Sequence, residues 1–118
     1  MRKLLKRPFA PNGGHCWAAR SDSTGDDCNN PFRSSLLLYE DGVPLPLAHQ
    51  AHRNIRGVGQ GRYAHWERTL LFSTSDNSDP NTNGRRYEVG AGYTLRQWQK
   101  SVLRYLCSLW RMHPRADY

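Results

Sequence analysis

The chain has 118 residues, 37% of them hydrophobic, and a formal net charge of +7 from 17 Lys and Arg against 10 Asp and Glu. That length suits one domain, and no apolar run approaches the roughly 18–20 residues of a membrane-spanning helix, so an integral helical membrane protein is excluded. Four Trp, six Tyr and three Phe concentrate apolar area in few positions, so a core is expected despite a mean hydropathy of −0.82.

The opening Met1-Arg2-Lys3-Leu4-Leu5-Lys6 is basic, but charge returns at Lys6-Arg7 before an apolar stretch can form. A secretory signal is therefore not expected, and a cytoplasmic location, at most peripheral to a membrane, is. Residues 1–14, ending in Pro11-Asn12-Gly13-Gly14, read as a basic arm. The β-rich domain is expected over 15–93. Its first strand is His15 to Ala19, and the turn-forming Ser21–Phe32 stretch follows. Ser34-Ser35-Leu36-Leu37-Leu38-Tyr39 reads as a continuous apolar run that suits a strand covered on both faces. Glu40-Asp41-Gly42 signals a hairpin, with Val43-Pro44-Leu45-Pro46-Leu47 returning as an edge strand. Ala48 to Arg56 can make about two helical turns before Gly57 and Gly59. Arg62 to Trp66 and Thr69 to Ser75 read as strands, the second β-branched and aromatic without a breaker. Asp76 to Gly84 is a polar loop, and Arg85 to Val89 a short closing strand.

Residues 94–118 read as a basic amphipathic helix and tail. Thr94-Leu95-Arg96-Gln97 fits a capping box, and Leu95, Trp98, Val102, Tyr105, Leu106 and Leu109 share one face before Pro114 ends the run. The fold class expected is α+β: a small, mostly antiparallel β unit, sheet or sandwich, with one short internal helix and this C-terminal amphipathic helix.

The charge lies at the ends. Residues 1–14 carry four cations and no acid, residues 15–93 eight Arg against nine acids, and residues 94–118 five cations against one acid. Such termini suit attachment to an anionic membrane surface or an acidic partner, and less readily to nucleic acid, whose readers carry their charge on the folded face. A domain this small also gains from self-association, so a homo-oligomer is a further expectation.

Three groups of side chains could carry chemistry. Asp76, Asn77, Asp79, Asn81 and Asn83 offer the hard oxygens a calcium site uses, but Pro80 breaks the register of a calcium loop, and an Asx-turn loop is the expected reading. His49, His52 and His65 could approach one another, yet Cys16, Cys28 and Cys107 lack zinc spacing, so neither metal nor cofactor is expected. Between residues 61 and 87, rings and forked polar groups crowd together. Arg62, Tyr63, His65, Trp66, Asp76, Asn83 and Arg85 have the mixture that stacks on a sugar ring and bonds its hydroxyls. These seven are the candidate ligand-binding residues. Paired carboxylates, phosphate loops and serine-hydrolase elbows are missing, so no residue is expected to be catalytic.

Asn30-Pro31, Tyr39-Glu40-Asp41-Gly42, Ile55-Arg56, Gly59-Gln60-Gly61-Arg62-Tyr63, His65-Trp66, Phe72 through Pro80 and Asn83-Gly84-Arg85 carry a resemblance. The stretch from Trp17 to Tyr87 resembles a small bacterial module found with polysaccharide-modifying proteins, beside glycosyltransferase or methyltransferase-type domains. The resemblance implies a non-catalytic accessory module that recognises a glycan or glycolipid, or docks on a polysaccharide-modifying enzyme, because this chain leaves no room for the catalytic domain. The alternatives are a nucleic-acid-binding protein and a small metal- or histidine-dependent enzyme.

Overall fold

The structure, a computed structural model, describes residues 2–91. The expected helix and tail at 94–118 lie outside the described residues. Among the described residues, eight short strands form two four-stranded antiparallel sheets. The first contains β1 (Lys3–Leu4), β4 (Leu36–Glu40), β5 (Val43–Pro44) and β8 (Tyr87–Ala91), in the order β1-β8-β4-β5. The second contains β2 (Ala10–Pro11), β3 (Trp17–Arg20), β6 (Tyr63–Trp66) and β7 (Thr69–Phe72), in the order β2-β3-β7-β6.

The period-2 geometry of a strand sends alternate side chains to opposite faces, and β7 shows what that does here. Leu70 and Phe72 point between the sheets, where they join Phe9, Leu38, Leu45, Tyr63 and Tyr87 in the main core. Phe72 lies 5.1 Å from Phe9 and 5.4 Å from Tyr87, so the aromatic rings span both sheets. Leu71, between them, turns outward and packs with Cys16, Ala64 and Ile55. Ile55 belongs to the one described helix, α1 (His52–Gly57). Six residues cannot hold a helix in water by themselves. Burying Ile55 completely stabilises its seat by about 1.5–3 kcal/mol, and the Arg56 carbonyl accepts the His15 amide at 2.9 Å.

Several expectations meet their elements. The hairpin turn has Asp41 at φ 49° and Gly42 at φ 81°, the two positive values of a type I′ turn, and β5 is an edge strand. Others are displaced. The helix expected from Ala48 starts four residues late, because the chain first pairs with β6: Tyr63 N–H donates to Leu47 O at 3.0 Å and Gln50 N–H to Tyr63 O at 3.1 Å. The closing strand begins at Tyr87, since Arg85 N–H is held by the Asn83 side chain at 3.0 Å. Leu37 is half-buried, so β4 is sealed on its inner face alone. The expected arm contributes an edge strand to each sheet and places Phe9, 3% exposed, in the core. Among the described residues, no helix is long and apolar enough to cross a membrane.

Candidate functional site

The seven candidate residues divide into two sets. Asp76, Asn83 and Arg85 come together. Arg85 grips Asp76 with both Nη atoms at 2.8 Å, and the carboxyl is held well below the ordinary range, first by that fork and then by Ser78. Asn83 Nδ2 donates to Ser78 Oγ and to the Tyr87 hydroxyl, both at 3.0 Å. Tyr87 donates in turn to Glu40 Oε2 at 2.8 Å, and Ser75 donates to the same carboxylate from Oγ at 2.5 Å and N at 3.1 Å. The chain of bonds thus runs from exposed Asp76 to buried Glu40. Burial, and then the hydrogen bond the phenol donates to Glu40, push the Tyr87 hydroxyl well above its ordinary value. The polar loop is therefore stapled to the end of the first sheet by its own ring and fork groups.

Arg62, Tyr63, His65 and Trp66 take their partners elsewhere. Arg62 donates to Gly59 O at 3.1 Å. Tyr63 is 1% exposed in the main core, where its hydroxyl accepts the Leu38 amide at 3.4 Å. The alternation of β6 turns Trp66 toward α1, with its ring 5.4 Å from that of His52. His65 faces inward and is the one of the seven that lines the cleft between the sheets.

That cleft has a volume of about 840 Å³ and opens between the two sheets, walled by the N-terminal segment on one side. Leu5, Phe9, Ala19, Leu36, Leu70 and Val89 supply apolar walls. Lys3, Lys6, Arg20 and Arg33 meet one carboxylate, Asp22, around it. Lys3 pairs with Asp22, and Arg33 with Asp27 at 3.0 Å. Lys6 and Arg20 are exposed and have no ion pair among the described residues.

The polar end of the cleft holds Ser34 and His65. His65 Nε2 lies 3.0 Å from the Ser23 carbonyl, which can only accept, so this nitrogen carries the proton. Nδ1 is then the free acceptor, and the Ser34 hydroxyl donates to it at 2.5 Å. Burial, more than any neighbouring charge, lowers the His65 pKa and favours the neutral ring. Ser34 is fixed from behind, its amide donating to Asp26 Oδ1 at 2.6 Å. Asp26 is 1% exposed, and its other oxygen accepts from His49 Nδ1 at 2.5 Å. The turn carrying Ser23 and Asp26 crosses β6 so closely that a Cβ on Gly25 would sit 2.1 Å from the His65 carbonyl oxygen. Only glycine permits that approach.

Ser34 and Asp26 were not legible as functional residues, because one bounds an apolar run and the other lies in a turn-rich stretch. Among the described residues, no three His, Cys, Asp or Glu side chains gather where they could hold a metal ion. No family model, curated protein or solved structure matches the chain.

Proposed function

We propose that the protein is a binding module for an anionic amphiphile of the glycolipid class. The apolar part of the ligand lies between the sheets, and its charged head meets Lys6 and Arg20. One observation carries this reading: a cleft of about 840 Å³ joins apolar walls to a rim holding two cations without an acidic partner among the described residues. The reading moves the contact surface away from the 62–85 cluster, of which only His65 is retained. The basic termini, including the amphipathic helix expected near 95–111, would hold the protein against the anionic membrane that supplies the ligand.

Co-sedimentation of the full chain with phosphatidylcholine vesicles, with and without phosphatidylglycerol, tests it. Lys6→Glu with Arg20→Glu should weaken binding to the anionic vesicles roughly 30-fold or more, at about 1 kcal/mol for each cation near the surface. Arg53→Glu with Arg86→Glu makes the same charge change at exposed positions outside the cleft and should have a much smaller effect. Equal losses from both pairs would mean diffuse attraction and would overturn the assignment.

A further inference from the structure

We propose that Ser34 and His65 form a nucleophile–base pair that cleaves a carboxylic ester in the cleft-bound amphiphile, an inference that rests on the cleft reading above. A serine hydroxyl is a weak nucleophile unless a base takes its proton as it attacks, and that base must be held in one tautomer. Both conditions are met. Ser34 Oγ lies 2.5 Å from His65 Nδ1, and the Ser23 carbonyl holds the ring proton on Nε2 at 3.0 Å. The carbonyl takes the orienting role that a carboxylate has in a Ser-His-Asp triad, and such groups are recognised by geometry rather than by chain order. Asp26 is a positioning residue, holding the Ser34 backbone at 2.6 Å without touching the reacting atoms. Ser34 and His65 both line the cleft, whose apolar walls would receive an acyl chain. Ser35, next after the nucleophile, also lines the cleft, and its backbone N–H is the donor this assignment gives the developing oxyanion.

The chemistry balances without a redox partner. Ser34 Oγ adds to the ester carbonyl carbon while its proton passes to His65 Nδ1. The acyl C–O bond breaks, and the leaving alcohol takes that proton, which leaves the acyl group on Oγ. Water then adds to the acyl carbon and gives a proton to Nδ1. The acyl–Oγ bond breaks, the proton returns to Oγ, and the carboxylic acid departs. The sum is ester plus water to acid plus alcohol.

The full chain is incubated with an alkyl fluorophosphonate, which forms an Oγ–P bond and expels fluoride, and the adduct is mapped by peptide mass spectrometry. Hydrolysis of 4-nitrophenyl butyrate is followed in parallel. The adduct is expected on Ser34 and not on Ser23 or Ser35, and Ser34→Ala should abolish hydrolysis. His65→Gln should slow labelling about 100-fold or more. Labelling of folded wild-type protein does not depend on whether that variant folds. Binding to anionic vesicles without label at Ser34 overturns the pair and leaves the cleft reading standing. Label at Ser34 without vesicle binding supports the pair and overturns the cleft reading. Equal hydrolysis by wild type and Ser34→Ala overturns the pair.

Discussion

Tyr63 and Tyr87 are both 1% exposed and both belong to the core between the sheets, but their hydroxyls are used differently. Tyr87 donates to the Glu40 carboxylate at 2.8 Å and accepts from Asn83 at 3.0 Å. Tyr63 accepts one amide at 3.4 Å. Replacing either by Phe keeps the ring and deletes only the oxygen. A hydrogen bond to a charged group contributes about 1.5–3 kcal/mol and a neutral one about 0.5–1.5 kcal/mol, from which relief of the hydroxyl's own burial is subtracted. Glu40 retains both Ser75 donors and Asn83 retains Ser78, so neither is orphaned by the change. Tyr87→Phe should therefore cost about 2 kcal/mol, and Tyr63→Phe less than about 1 kcal/mol. In a domain of this size those losses lower the thermal midpoint by roughly 8 °C and by less than roughly 4 °C. Urea unfolding of both variants at neutral pH, followed by tryptophan fluorescence, measures the difference directly. Equal costs would refute the claim that the polar chain from Asp76 to Glu40 contributes to stability beyond the burial of its rings.

Gly25→Ala should lose about 3 kcal/mol, since its Cβ would meet the His65 carbonyl oxygen at 2.1 Å and the Asp26 turn must lift away. Gly57→Ala, where an added Cβ meets nothing within 4 Å, should be neutral or slightly stabilising, and equal midpoints for the two variants would contradict the close crossing. Burial pushes the Cys16 thiol up to about 11, so at pH 8 only about one molecule in a thousand carries the reactive thiolate there. Iodoacetamide should alkylate exposed Cys28 and spare Cys16 until denaturant is added; early modification of Cys16 in native protein would show that its seat against α1 opens readily.

The strands were legible wherever the sequence held four or more residues of consistent pattern. Thr69–Phe72, Tyr63–Trp66 and the type I′ turn at Asp41-Gly42 are local consequences of β-branching, aromatic content and tolerance of positive φ. The two-residue strands at Lys3–Leu4 and Ala10–Pro11 were hidden, because two residues have no period and their pairing depends on β8 and β3, distant in the chain. The candidate site was partly legible for a related reason. Composition marked the ring-rich 61–87 stretch, but not which face of β6 each residue takes, and that face decides whether His65 reaches the cleft while Trp66 turns to α1. Ser34 meets His65 across 31 positions of chain, a juxtaposition that only tertiary structure creates.

The segment from Lys3 to Pro11 borders both sheets and also forms a wall of the cleft. A molecule wedging itself inside would press at once on the Lys3–Val89 and Ala10–Ala18 pairings, each part of a ladder only two residues long. Admission of a guest and fraying of these margins are consequently coupled. The bore of the opening can then drift over evolutionary time through exchange of a few N-terminal side chains, with the framework around Phe72 left intact.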